Sequence, residues 1–183
     1  MKIIGGKFKG RVIEAPRGLL SRPPLAIIRE SVFNILGQDM QEKSILDLFS
    51  GSGSLGFEAV SRGASRVHFV DASSRSVRMI RRNAEALGIM DSCVIVKDDA
   101  AGFVQAWGGG GFDVVFVDPP FLSGRASPVL SAMQTSSAVS GATVVVVRLH
   151  RRETVEMPSG FRVSKERRFG ENLILFITRE QRP

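Results

Sequence analysis

Four consecutive residues, Asp118-Pro119-Pro120-Phe121, set an acid, two rigid imino acids and an aromatic ring directly after an apolar run. An exocyclic amine on a nucleobase is a poor nucleophile because its lone pair is delocalised into the ring. A carboxylate and a carbonyl that accept its two N–H bonds localise that pair toward an electrophilic methyl group. The carboxylate then takes up the released proton or relays it to water. Pro119 and Pro120 fix the direction of the Pro119 carbonyl, and Phe121 offers a face on which a flipped base can stack. Orientation and electrostatics carry such a transfer, so no metal is expected. The plain alternative is that two prolines end a central strand.

A second group of residues can hold the methyl donor. In Asp47-Leu48-Phe49-Ser50-Gly51-Ser52-Gly53-Ser54-Leu55-Gly56, three glycines spell G-x-G-x-x-G between an expected strand and an expected helix. Asp71 ends the next strand, twenty residues after Gly51, where a carboxylate can accept hydrogen bonds from ribose hydroxyls. That much also suits a nicotinamide cofactor. Asp47 argues otherwise, because a carboxylate beside the loop repels a pyrophosphate and favours a cation. S-adenosylmethionine carries a sulfonium and an ammonium group and no phosphate. In Asp98-Asp99-Ala100, Asp99 can accept from an adenine amino group or serve as a helix N-cap. Loop-capping is likewise the plain alternative for Asp47 and Asp71.

The elements that must position these residues alternate along the chain. Strands are expected at 45–49, 66–70, 93–97, 112–117 and 143–149, with helices at about 25–36, 73–87, 99–106 and 125–134 and one ending near Arg62. The first helix is expected to bury Ile27, Ile28, Val32, Ile35 and Leu36, and the 73–87 helix Val77, Ile80, Ala84 and Leu87. Alternating strands and helices predict an α/β fold with a mostly parallel, doubly wound sheet. The segments 161–168 and 173–178 flank Phe169-Gly170-Glu171-Asn172 and predict an antiparallel C-terminal hairpin. Lys2–Ile4 and Arg11–Ile13 predict a small N-terminal β-hairpin arm. The division expected is an appendage, 1–36, carrying the arm and first helix, and a main domain, 37–183.

The chain has 183 residues, 43% of them hydrophobic and 23% charged, and a formal net charge of +7. This composition excludes wholesale disorder, and no apolar run approaches the roughly 20 residues that span a bilayer. No secretory leader is recognisable, so a cytoplasmic protein is expected. The single cysteine, Cys93, is expected to be a small core residue; with His68 and His150 as the two histidines, no zinc site is expected. His68 is expected at the core or an edge, and Trp107 as a core anchor. Charge is uneven: residues 1–29 carry +6, residues 148–183 carry +4 and the middle carries −3. Basic ends suit a polyanion partner. Lys7, Lys9 and Arg11 of the arm are the expected phosphate contacts, the alternative being an arm that only packs on the sheet.

The Asp118–Phe121 motif and the glycine loop together resemble amino-group methyltransferases with an N/D-P-P-Y/F/W signature. Ile3–Arg11, Arg22-Pro23, Arg29–Leu36, Asp47–Gly53 and Arg168–Asn172 are similar to the RsmD family, so the resemblance spans nearly the whole chain. It implies a Rossmann-like S-adenosylmethionine-dependent fold and methylation of a guanine N2 amine in 16S rRNA. The expected partner is the assembled or assembling small ribosomal subunit, and the expected state a monomer. It implies cofactor contacts at the Gly51–Gly53 loop, Asp71 and Asp99, with Arg22 and the helix after it covering the cofactor. With Asp47, Phe49, Ser52 and Ala100 these form the expected cofactor set; Asp118, Pro119, Pro120 and Phe121 form the catalytic set. Two departures stand out: Pro24 replaces the family's usual threonine, and Asp71 replaces the commoner glutamate. The rival readings are an adenine-N6 methyltransferase, which uses the same motif, and more remotely a nicotinamide oxidoreductase.

Overall fold

The computed structural model describes residues 1–15 and 23–180. They divide into two compact units, Met1–Lys97 and Asp98–Pro183. Arg22 and Pro16–Ser21 lie outside the described residues.

The first unit holds three parallel strands in the order β3-β2-β1: β1 (Ser44–Leu48), β2 (Arg66–Val70) and β3 (Cys93–Val96). Their sequences are nearly continuous apolar runs, as a parallel sheet covered on both faces requires. Ile45, Leu46, Leu48, Val67, Phe69 and Val70 have no solvent exposure. Each such side chain contributes roughly 1.5–3 kcal/mol of burial. Helices α1 (Pro23–Leu36), α2 (Ser54–Ser61) and α3 (Ser74–Leu87) complete the unit. In α3 the Ser73 hydroxyl accepts from the Ser76 amide at the N-cap, and the buried face is Met79, Ile80, Asn83, Ala84 and Leu87. Val77 is only half-buried. In α1 the buried stripe is Ile28, Val32 and Phe33, with Arg29, whereas Ile27 is 54% exposed. Ile28 and Val32 are buried as expected and Ile35 and Leu36 are half-buried, while Arg29 and Phe33, four residues apart, are buried in place of Ile27.

The N-terminal arm is the small antiparallel hairpin expected, centred on the bridge of Lys2 with Val12. Backbone bonds cross it from the Ile3 amide to the Arg11 carbonyl (3.0 Å), from the Gly10 amide to the Ile3 carbonyl (2.9 Å) and from the Ile13 amide to the Met1 carbonyl (2.8 Å), and side chains of the body hold it from outside. The Ile4 amide donates to Glu58 (3.0 Å), the Phe8 amide to the Ser61 hydroxyl (2.9 Å) and the Glu14 amide to Asn83 (2.7 Å). Ile3 and Ile13 are 3% exposed and supply the apolar grip.

The second unit holds β4 (Phe112–Val117), β5 (Val139–His150), β6 (Phe161–Phe169) and β7 (Asn172–Arg179). β4 runs parallel to β5, and β5-β7-β6 is antiparallel, so the C-terminal hairpin stands as expected. β5 begins four residues before the apolar run because Phe112 pairs with Val139 and Val114 with Val144. Thr143 fills that irregularity by donating to the Phe112 carbonyl (2.6 Å). α4 (Ala100–Ala106) and α5 (Ala126–Met133) are the unit's helices. Trp107 is half-buried between Phe103 and Phe112, with ring centroids at 5.4 and 4.9 Å. Among the described residues no helix is long and apolar enough to cross a membrane.

His68 is half-buried, and its proton affinity is lowered by burial and by Arg66. Burial pushes the Cys93 thiol up to about 12 from 9.0. Only the thiolate is nucleophilic, so alkylation of Cys93 at pH 8 should be slower by about 10²–10³ in the folded protein than after unfolding in guanidinium. The unfolded chain releases this proton near pH 9 and the folded chain near 12, so stability is retained below 9 and lost as pH rises through that window. Cys93→Ala should flatten that slope in alkaline denaturation curves.

Candidate functional site

Between β1 and α2 the backbone enters the left-handed region three times within five residues: φ is 57° at Phe49, 57° at Gly51 and 78° at Gly53. Gly53 is the N-cap of α2. Phe49 has no glycine's freedom there, so its conformation is imposed by its surroundings. Asp71 supplies part of that imposition. Its Oδ2 accepts from the Gly51 amide and its Oδ1 from the Ser73 amide, both at 2.8 Å. Asp47 supplies more: it is 2% exposed and its Oδ2 accepts from the Gly56 amide (3.0 Å) in the first turn of α2. The Ser50 hydroxyl reaches the carbonyls of Asp47 (2.5 Å) and Val70 (3.1 Å), joining the ends of β1 and β2.

The three glycines do different work. A Cβ on Gly51 would meet nothing closer than the Phe49 carbonyl at 3.8 Å, so this position is open to a ligand. A Cβ on Gly53 would stand 2.6 Å from the Phe57 ring, and one on Gly56 2.2 Å from the Phe69 ring. These two glycines let α2 pack on β2 through the tilted Phe57–Phe69 pair, whose centroids are 4.8 Å apart. Ser52 is 8% exposed, and its carbonyl accepts from Asn83 (3.2 Å).

Asn83 is a residue that sequence reasoning missed. Its amide also brackets Glu14, donating to the carbonyl (3.0 Å) and accepting from the amide (2.7 Å), and so ties the arm to the glycine loop. Its place in a helix pattern hides that use; a polar residue between buried Ile80 and Ala84 is the available signal.

Of the arm's basic residues, Lys7, Lys9 and Arg11 are all exposed. Arg11 donates to the Ala86 carbonyl near the end of α3 (2.9 Å), and the Lys7 ammonium lies 4.8 Å from the centre of the Phe8 ring.

In the second unit Asp99 is the N-cap of α4: its Oδ2 accepts from the amides of Ala101 and Gly102, each at 3.1 Å. Ala100 is 4% exposed. Asp118 follows β4 directly, Pro119 is buried, and Pro120 and Phe121 are exposed. The Pro120 carbonyl accepts from the Ser123 hydroxyl (2.5 Å), closing the turn after the motif. Asp118 is paired: its Oδ1 accepts from Arg148 Nε (2.5 Å). Arg148 is the second residue missed, and the register explains it. Val117 pairs with Val147, so the following residues, Asp118 and Arg148, emerge side by side from parallel strands.

The fold is a Rossmann-like methyltransferase fold: mostly parallel strands between helices, closed by an antiparallel hairpin. The ribosomal protein L11 methylase of Lactobacillus delbrueckii shares it, with a TM-score of 0.72 at 18% identity over 94% of this chain and 88% of that one. The solved Escherichia coli protein yhhF is nearer, with a TM-score of 0.86 at 26% identity over 100% of this chain and 99% of that one. The family model described as conserved hypothetical protein 95 matches residues 1–178, and the chain belongs to this family, the RsmD family. Ribosomal RNA small subunit methyltransferase D of Escherichia coli K12 is 30% identical over 80% of this chain and 73% of its own length. The enzyme of that name from Haemophilus influenzae is 28% identical over 93% of this chain and 89% of its own.

The glycine geometry gives an order of stabilities. Gly56→Ala should cost about 1–3 kcal/mol by overpacking against Phe69, whereas Gly51→Ala should cost only about 1 kcal/mol of backbone strain. Urea midpoints of the two variants check the order; equal midpoints would remove the packing role assigned to Gly56.

Proposed function

We propose that the chain methylates the exocyclic N2 amine of a guanine in 16S rRNA, with S-adenosylmethionine as donor. The observation that carries this reading is Asp118-Pro119-Pro120-Phe121 at the end of β4, where an acid, a rigid carbonyl and an aromatic ring stand in sequence. The names of the family relatives support an RNA substrate.

The residues of the glycine loop fit this donor. Gly51 leaves room for a ligand, and no basic side chain lies between Asp47 and Glu58 to hold a phosphate. Each carboxylate oxygen has two acceptor sites, so Asp71 keeps capacity for ribose hydroxyls while it holds Gly51 and Ser73. In this reading Asp47 sets the loop and its negative field, and Phe49, Gly51, Ser52 and Gly53 form the wall. Asp99 Oδ1, which takes neither of the two capping bonds, accepts from an adenine amino group, with Ala100 beside it. Bound there, the donor supplies a sulfonium methyl whose departing electron pair leaves a thioether.

The chain's own residues act on the amine. Asp118 and the Pro119 carbonyl accept its two N–H bonds and turn its lone pair outward. As the N–C bond forms, the nitrogen becomes cationic, and one of its protons passes to Asp118 or to water. Phe121 stacks the flipped base, and Pro120 stiffens the turn that carries it. Lys7 and Lys9 contact RNA phosphates; Arg11 does so with the guanidinium edge not spent on Ala86.

The decisive experiment incubates labelled S-adenosylmethionine with unmethylated small subunits and analyses the RNA nucleosides. Labelled N2-methylguanosine is expected. N6-methyladenosine would establish the adenine reading, and binding of NADH without any response to S-adenosylmethionine would overturn both. Asp71→Ala should weaken cofactor binding by roughly 1–3 kcal/mol in calorimetry. Asp118→Ala should lose turnover while keeping cofactor affinity. Replacing Lys7, Lys9 and Arg11 together with Ala should lower the salt slope of RNA affinity by roughly 0.7–0.9 per lost phosphate contact, with cofactor binding unchanged. An unchanged slope would make the arm purely structural.

A further inference from the structure

Arg148 makes three contacts with one planar group. Its Nε donates to Asp118 Oδ1 (2.5 Å), its Nη1 donates to Asn172 Oδ1 (3.1 Å), and its Cζ lies 4.7 Å from the centre of the Phe121 ring. We propose that Arg148 is a positioning residue for methyl transfer: its guanidinium fixes the Asp118 carboxylate and the Phe121 ring relative to each other, and Asn172 fixes the guanidinium. The inference rests on the amine-methylation reading above and deepens it.

The donors of a guanidinium are rigid in its plane, so laying that plane over a ring while one donor engages a carboxylate fixes the angle between ring and carboxylate. An ammonium has no plane and cannot do this. The bond uses Oδ1, which assigns Oδ2 of Asp118 to the substrate amine. Both side chains are about three-quarters shielded, with relative exposures of 22% and 25%, so water competes little for the pair. His150 meets the Phe121 ring edge-on, with centroids at 5.5 Å and planes at 69°, and restrains it from a second direction.

Asn172 gives the hairpin segment Phe169–Asn172 a use beyond reversing the chain. Its Nδ2 donates to the Phe169 carbonyl (3.0 Å) across the turn, where Gly170 has φ 58°, and this leaves Oδ1 aimed at Arg148. Arg148 pairs with Ile174 and His150 with Asn172 in the β5–β7 ladder, so the register holds all three polar groups at one end of these strands. Carboxylate, guanidinium and amide form one relay of position from the turn to the reacting amine.

The test measures kcat, KM for unmethylated subunits and cofactor affinity in Arg148→Ala, Arg148→Lys and Asn172→Ala, with Asp118→Ala alongside. Arg148→Ala should lower kcat by about 10- to 100-fold, the scale of a misplaced reacting group, with KM and cofactor affinity within about twofold. Arg148→Lys should recover little of the loss, and Asn172→Ala should show a smaller fall. Methylguanidinium at millimolar concentration should restore part of the kcat of Arg148→Ala, and methylammonium should not; a merely stabilising arginine would show no such rescue. If Arg148→Ala does not fold, Arg148→Lys carries the same comparison of kcat against cofactor affinity. Wild-type kcat in the Arg148 variants with Asp118→Ala inactive overturns this inference alone. So does a loss that follows thermal stability and ignores methylguanidinium. Wild-type turnover in Asp118→Ala overturns the amine-methylation reading and this inference together.

Discussion

The turn after β1 depends on carboxylates that accept backbone amides. Three left-handed residues within five, one of them a phenylalanine, form a conformation that the chain avoids on its own, at a cost of order 1–2 kcal/mol for Phe49. Asp47 and Asp71 offset that cost by holding the Gly56 and Gly51 amides from opposite ends of the turn. Ser50 locks the two strand ends beneath it. A ligand that needs a close backbone approach at Gly51 therefore meets a surface shaped before it arrives, and little ordering entropy is left to lose on binding.

The same economy recurs at the other acids. Asp99 caps α4, and Asp118 is held by Arg148. Each candidate ligand-binding carboxylate is thus also a structural acceptor: Asp99 and Asp118 through one oxygen, Asp71 through one bond at each of its two. A carboxylate fixed in this way presents its remaining acceptor in one direction. Capping and ligand contact are therefore not exclusive at these residues. Asp47 marks the limit. At 2% exposure it offers almost no surface, and its part is to shape the loop through the Gly56 amide.

The regular elements were legible in the sequence because their signals are local. The apolar runs of β1, β2 and β4 and the hairpin around Gly170-Glu171 fall where expected, within a residue or two. What failed depended on tertiary partners. The arm's hairpin is legible, but its docking through the Ile4, Phe8 and Glu14 amides on Glu58, Ser61 and Asn83 is not. Helix α1 buries Phe33 instead of Ile27, a shift of face that periodicity alone cannot fix when Ile27, Ile28, Val32 and Phe33 are all apolar. Arg148 was invisible for a similar reason: thirty residues separate it from Asp118, and only the parallel register of β4 and β5 makes them neighbours.

The arm shows how charge and anchoring are divided along one short segment. Its fixed points are backbone amides and the side chains of Ile3 and Ile13, all held by the body of the first unit. Glu58, fully buried, is central to this: it accepts from the Ile4 amide and from Arg62 at Nε (3.1 Å) and Nη2 (2.8 Å), so its charge is matched where water cannot reach. Burying a carboxylate without such partners would cost several kcal/mol. Because these interior contacts anchor the arm, Lys7 and Lys9 are free of that work and stay exposed, whereas Arg11 spends one guanidinium edge on the end of α3. Positive charge held on an anchored backbone loses less conformational freedom to a partner than the same charge on a loose tail, so anchoring lowers the ordering cost of any contact these side chains make.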